Sequence, residues 1–315
     1  MAHKKKILIT GVSGLLGSNV AYCWRDKYEI LGLYHNCPVS IVPIKTKTVD
    51  ILSVAALKNI ITEFDPQVVI HCAALTNIDF CEKNPDATHQ TNVMGTKNVA
   101  ESLQGKKTKL VYISTDCVYD GTKKEYRETD PVKPLSQYAR SKYEGEMEAL
   151  KIKNSLIART SIFGWNIQNK LSLGEWVIHE LSAGKEIQGF TDILTAFLYT
   201  FTFAGLLNLA LEADLNGVYH FASRDILSKY DFAVKIADFF QLDKNLIKPA
   251  SVDDSKLLAK RSKALMLNTD KLTQALQRPM PAIADSIESF FADFKKGIPE
   301  RIKGEVFPAS LTTIR

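Results

Sequence analysis

Apolar and polar positions divide the first 160 residues into a regular alternation. Short runs rich in apolar residues (ILIT at 7–10, EILGLY at 29–34, PQVVIHCAA at 66–74, KLVYIST at 109–115, SLIART at 155–160) are separated by helically spaced stretches at 53–64, 86–104 and 136–152. Runs of this kind fit strands buried on both faces, and strands alternating with helices predict an α/β fold with a doubly wound parallel sheet. The punctuation agrees: Asp65-Pro66 stands just before VVIH, and Gly105 closes the helix that precedes KLVYIST. Past about residue 164 the rhythm loosens into a helix over 173–183, a strand at 217–223 and helices over 228–241 and 281–296.

The first apolar run empties into glycines, KKKILITGVSGLLGSNVAYCW, with Gly11, Gly14 and Gly17 spaced GxxGxxG and followed by Leu15, Leu16, Val20 and Tyr22 at helical spacing. A strand ending at Gly11 with a helix starting near Gly14 aims unpaired backbone N–H groups and the positive helix end at one spot. An anion such as a pyrophosphate meets that demand. Gly11 permits the tight turn, Gly14 lets a ligand approach the backbone, and Gly17 lets the helix lie close to the strand. The expected division is a dinucleotide-binding Rossmann-type domain over 1–163, returning near 191–224, and a smaller C-terminal lobe, mainly 164–315, for substrate.

Composition narrows the partners. Across 315 residues, 40 Lys+Arg against 35 Asp+Glu leave a net charge of only +5, and the KKK at 4–6 has no aromatic or further basic company. Nucleic-acid binding is not expected. No apolar run reaches membrane-spanning length, and MAHKKK is not the start of a signal peptide. Cysteines 23, 37, 72, 81 and 117 are odd in number and lack CxxC spacing, so they read as reduced thiols of a cytoplasmic protein. Asp79 and Glu82 do not make a metal site by spacing, and no protein-bound metal is expected.

Candidate chemistry begins at ISTDCVYDG and continues about twenty residues on at PLSQYARSKYEGE. Tyr138 and Lys142 lie four apart on a helix, hence on one face. A phenol with pKa near ~10 is a poor acid or base at neutral pH, and a nearby ammonium lowers it. With a hydroxyl from Thr115 or Ser114 on the same substrate oxygen, this set could protonate an alkoxide as hydride reaches a carbonyl carbon. A YxxxK pair alone is ordinary; the order glycine turn, strand-end hydroxyl, tyrosine helix is what gives it weight. His71, within an apolar strand end, reads as a packed, hydrogen-bonded residue, and Cys117, without a partner histidine, as structural.

These residues, with VDI at 49–51, VVIHCAALTNID at 68–79, NVMGTKN at 92–98 and ARTSIFG at 158–164, resemble the extended short-chain dehydrogenases/reductases, and within them the dTDP-4-dehydrorhamnose reductase type. The resemblance implies a reductase of a 4-keto nucleotide-activated sugar. Gly11, Gly14, Leu15, Leu16 and Gly17 would hold the cofactor pyrophosphate, Asp50 and Ile51 would meet the adenine, and Ala73, Ala74 and Leu75 would line the path to the nicotinamide. Asn92 would lie near the cofactor phosphates. Thr115, Tyr138 and Lys142 match the catalytic positions, Lys142 also holding the nicotinamide ribose, and Asp116 and Ile162 fall where substrate is contacted. A nucleotide-sugar partner is implied, and a homodimer is compatible with it.

No acidic residue ends the second strand at Leu33-Tyr34-His35-Asn36, so nothing there repels a 2′-phosphate, and NADP is favoured over NAD. The substrate half departs from the family. RTSIFGWN puts Ile162 where relatives carry tryptophan and offers Trp165 instead; TAFLYTFTFA at 195–204 has Thr202 for an aspartate; Arg261-Ser262 replaces Arg-Pro. An epimerase or dehydratase of the same fold is the alternative, with Cys117 in place of a dehydratase glutamate counting against elimination. So is a dinucleotide-binding regulatory subunit, like the β subunit of methionine adenosyltransferase.

Overall fold

A computed structural model describes residues 4–303. Its central sheet has seven strands: β1 Lys6–Thr10, β2 Glu29–Tyr34, β3 Lys45–Thr48, β4 Val68–His71, β5 Lys109–Thr115, β6 Ser155–Thr160 and β7 Gly217–Phe221. All pairings are parallel, in the order β7-β6-β5-β4-β1-β2-β3. The chain builds outward from β1 to β3, returns to β4 and builds the other way. That reversal opens a crevice at the carboxyl ends of β1 and β4, where ligands of such sheets settle. This is the Rossmann-type sheet that the apolar runs predict.

Among the described residues, the helices of eight residues or more frame the sheet and the lobe: α1 Leu15–Trp24, α2 Val54–Phe64, α3 Gly95–Ser102, α4 Gln137–Ala149, α5 Leu173–Ser182, α6 Thr200–Glu212, α7 Lys229–Phe239 and α8 Ile283–Lys295. The period of two along the strands sorts side chains between two cores. Ile7, Ile9, Val68 and Ile70 pack with Val20 of α1 and Phe203 and Leu207 of α6. Leu8, Val69, Leu110 and Tyr112 pack with Leu57, Ile61 and Val99 on the other face. Ser53 and Ser136 cap α2 and α4, accepting hydrogen bonds from the Ala56 and Ala139 amides.

One element differs from the sequence expectation, and one is absent from it. The stretch 86–104 is not one helix: Pro85–His89 leads into a single wide turn, Gln90–Met94, before α3. That turn carries Asn92, whose amide is drawn inward to Leu75. Helix α6 is not signalled by its Thr- and Phe-rich start, which by propensity favours a strand. Tertiary burial overrides the propensity, and the join to α1 is specific: the Thr200 hydroxyl donates to Asn19 Oδ1 at 2.6 Å, and Asn19 Nδ2 donates to the Trp165 carbonyl at 2.7 Å.

The remaining chain forms a lobe whose core is aromatic, with Phe163, Trp165, Phe232, Phe240, Phe290 and Phe294 buried among α5, α7 and α8. Trp165 stacks on Phe290 with centroids 3.9 Å apart and is fully buried, so it belongs to this core and not to a ligand surface. No helix among the described residues is long and apolar enough to cross a membrane.

Candidate active site

Each glycine of the first turn has its own geometric reason. Gly11 sits at φ +67, and a Cβ there would lie 2.6 Å from the Ala73 nitrogen. A Cβ on Gly17 would lie 2.3 Å from the Gly11 carbonyl oxygen, so only glycine lets α1 approach the turn. A Cβ on Gly14 meets that oxygen at 3.3 Å and nothing else within 4 Å: its free side is open. Gly14 is also the N-cap of α1 and offers no side-chain acceptor, which leaves first-turn amides for a ligand.

From this turn a trough runs in both directions. One part, about 550 Å³, is lined by Gly14, Leu15, Asp50, Ile51, Ala73 and Leu75, with Tyr34, His35, Asn36 and Cys37 at the end of β2. The other, about 380 Å³, is lined by Leu16, Gly17, Thr115, Asp116, Tyr138, Lys142 and Ile162. Gly11, Gly14, Leu15, Cys72, Ala74 and Thr76 line both parts, so the two are continuous over the glycine turn. The sequence-derived site residues thus converge on one trough, with Asn92 as the exception. Its side chain is 1 % exposed and lines neither part; it bonds both backbone groups of Leu75 and the Ser141 hydroxyl. The role that the resemblance implies for it, beside the phosphates, becomes that of a clamp on the segment that lines the trough.

Helix α4 presents Tyr138, Lys142 and Glu146 as one stripe at i, i+4 and i+8. Tyr138 reaches the trough beside Thr115, whose hydroxyl donates to Asp116 Oδ1 at 3.1 Å and accepts from the Cys117 amide at 3.2 Å. Lys142 is buried, its ammonium 4.1 Å from the centroid of the Tyr112 ring. Glu146 is fully buried and balanced by Arg159 of β6, with Nε to Oε1 at 2.9 Å and Nη2 to Oε2 at 2.6 Å. The Ser114 hydroxyl also donates to Glu146, and Arg159 Nη1 donates to the Tyr119 hydroxyl. This paired network forms the floor beneath the site.

The electrostatics correct one expectation. Instead of a phenol lowered by Lys142, burial pushes Tyr138 above its ordinary value, with Cys117 and Asp116 adding to the rise and the nearby Thr115 hydroxyl opposing it. Burial also pulls Lys142 down to about 7, partly offset by Glu146 and Cys72. Asp116 is pushed up to about 6 by burial, against hydrogen bonds from Cys117 and Thr115. Lys142 and Asp116 are therefore held near the point of proton exchange, where small changes on ligand binding shift their charge, while Tyr138 stays protonated.

Other flagged residues find plain roles. Thr96 gives its proton to the Asn92 carbonyl at 2.6 Å, so it accepts from His71 Nε2 at 3.1 Å, and Nδ1 accepts from Thr10 at 2.7 Å. His71 is thereby a fixed neutral tautomer, its pKa drawn to about 3 by burial and by Lys142. Burial, then Asp116, raises the Cys117 thiol. Asp79 pairs with Arg261 at 2.9 Å, and Glu82 accepts from the Gln137 amide. No cluster of three His, Cys, Asp or Glu side chains suited to a metal ion occurs among the described residues. Residues the sequence reading missed come from 166–172: Asn166, Gln168, Lys170 and Ser172 line the trough from the lobe side. Gln168 Nε2 donates to the Ser13 carbonyl at 2.6 Å. Only the polar spacing Asn166-x-Gln168-x-Lys170 hinted at them.

The dTDP-4-dehydrorhamnose reductase of Aggregatibacter actinomycetemcomitans is 31% identical over 287 residues, 86% of this chain and 92% of that protein. The methionine adenosyltransferase 2 subunit beta of Pongo abelii is 29% identical over 278 residues, 85% of this chain and 81% of that protein. The structure of dTDP-4-dehydrorhamnose reductase from Bacillus anthracis in complex with NADP superposes with a TM-score of 0.83 at 28% identity, covering 92% of this chain and 99% of that one. Residues 5–296 match the RmlD substrate binding domain family, and the chain, a Rossmann-type protein with its Tyr138, Lys142 and Thr115 at one end of a trough that opens on the glycine turn, belongs to that family.

Proposed function

We propose that the chain reduces the 4-keto group of a nucleotide-activated sugar, with NADPH as preferred reductant over NADH. The observation that carries this reading is the meeting of Tyr138, Thr115 and Lys142 at one end of a trough that starts on the glycine turn. The residues present fit a dinucleotide: Gly14 leaves the turn open, the first amides of α1 are uncapped by a side chain, and no carboxylate stands at the end of β2 to repel a 2′-phosphate. When bound, the nicotinamide supplies the hydride.

The chain's own residues manage the proton. Tyr138, kept protonated by its burial, donates to the substrate's carbonyl oxygen, and Thr115, on turning its hydroxyl proton from Asp116 to that oxygen, steadies it with a second hydrogen bond. Lys142, protonated once an anion lies nearby, favours the phenolate left behind. Asp116 and Ile162 wall the sugar side of the trough. The likeness to the Bacillus anthracis reductase in complex with NADP and to the Aggregatibacter dTDP-4-dehydrorhamnose reductase supports this reading. All five cysteines are free thiols, which supports a reducing, cytoplasmic setting.

A second reading, a regulatory subunit, has the methionine adenosyltransferase relatives in its favour. The assay that decides is oxidation of NADPH dependent on a 4-keto nucleotide sugar. Turnover that falls by on the order of a hundredfold in Tyr138→Phe, with cofactor affinity kept, supports the reductase. Tight dinucleotide binding with no turnover across a broad substrate panel supports the subunit.

A further inference from the structure

The segment 166–172 lies across the trough from the glycine turn and is fixed there by its own side chains. Asn166 organises it, with Oδ1 accepting from the Gln168 amide at 3.1 Å and Nδ2 donating to the Lys170 carbonyl at 2.6 Å. Gln168 then ties it to the turn through the carbonyl of Ser13, which stands between Gly11 and Gly14. Lys170, two residues on, lines the larger part of the trough and is the only Lys or Arg among that part's lining residues. Its side chain is exposed, and its ammonium makes no ion pair with any described residue.

The charges on this part of the trough are otherwise unfavourable to an anion. Asp50 is the only carboxylate among its lining residues, and a diphosphate bridge is doubly negative. The start of α1 supplies only a partial positive charge. A mobile cation tethered over the same turn completes the balance. We infer that Lys170, held over the glycine turn by the Gln168–Ser13 bond, is the side chain that neutralises the diphosphate bridge of the bound dinucleotide. This rests on the reading of the trough as a dinucleotide site and adds to it the cation that the glycine turn lacks. Because the diphosphate is common to NADPH and NADH, Lys170 strengthens both and selects neither.

The test uses the full chain with Lys170→Met and Lys170→Arg, and calorimetric titration with NADPH and NADH at low and at high ionic strength. Lys170 is on the surface, so neither variant removes a core contact. The expected result is that Lys170→Met weakens both dinucleotides about tenfold at low salt, that the loss shrinks at high salt, and that Lys170→Arg restores most of the affinity. Unchanged affinity in Lys170→Met overturns the inference while leaving the dinucleotide site intact. A loss confined to NADPH also overturns it, since it places Lys170 on the 2′-phosphate; a change only in the KM for the sugar nucleotide does the same. If the unmutated chain binds neither dinucleotide, the reductase reading falls, and this inference falls with it.

Discussion

Asn92 holds Leu75 by both of its backbone polar groups: the Leu75 amide donates to Asn92 Oδ1 at 2.7 Å, and Asn92 Nδ2 donates to the Leu75 carbonyl at 3.0 Å. The same Nδ2 donates to Ser141 Oγ at 2.9 Å, one residue before Lys142. A single side chain therefore joins the segment that lines the trough to the helix that carries Tyr138.

Asn92→Ala should loosen both at once. Leu75 is half-exposed, so water recovers part of the lost bonding, and the expected destabilisation is about 1–3 kcal/mol in urea unfolding. Dinucleotide affinity should fall as well. A variant as stable as the parent would show that the clamp is redundant.

The glycines should separate by phenotype. Gly17→Ala forces a methyl to within 2.3 Å of the Gly11 oxygen and should lower expression and thermal midpoint sharply. The Cβ of Gly14→Val meets only one backbone atom, at 3.3 Å, so the variant should fold and yet lose dinucleotide affinity by on the order of tenfold or more. Calorimetry and thermal melts on the pair decide it; a Gly14→Val protein that binds normally would remove the turn from the cofactor site.

Asp116→Asn is expected to gain stability at pH 7. The folded-state pKa of Asp116 is raised to about 6, so between its ordinary value of about 4 and 6 the folded protein binds the extra proton and stability declines as pH rises. Removing the charge removes that decline. Denaturant midpoints should favour the variant at pH 7 and coincide with the parent near pH 4. If Asp116 meets the substrate as proposed, the same variant loses turnover, a trade between stability and activity.

Lys142 works in the opposite sense. Its folded pKa lies near 7, below its ordinary value of about 10.4, so the unfolded chain binds more protons between those limits and stability rises with pH across them. Lys142→Met should flatten that slope and raise stability at pH 7, while reducing both cofactor affinity and turnover. Tyr138→Phe, by contrast, should reduce turnover alone. Equal loss of turnover with unchanged cofactor binding in Lys142→Met would assign the lysine no part in holding the dinucleotide.

What the sequence made legible was local. The glycine turn, the i, i+4 pair Tyr138 and Lys142, and the strand-end Thr115 all lie within short windows whose spacing reports their geometry. What stayed hidden depends on closure of the chain in space. Gln168 meets Ser13 across 155 residues, and Arg159 on β6 meets Glu146 on α4 where nothing in either segment names its partner. Trp165 reads as a replacement for the tryptophan that relatives carry until Phe290 is seen stacked against it. The direction of the Tyr138 shift was missed for the same reason: spacing shows that an ammonium is near but not how much water the fold removes.

The return of the chain to the sheet through α6 and β7 has a consequence for how such a protein can be altered. Residues 162–199 leave the sheet for the lobe, α6 and β7 come back, and α7 leaves again. The two halves are laced together by several crossings, so no single splice after residue 163 yields two intact cassettes. It would strip β6, buried along its whole length, of β7. With the trough as the sugar-nucleotide site proposed above, a change of sugar preference is therefore reached by substituting residues that face it, with the sheet and the glycine turn left in place, and not by trading one lobe for another.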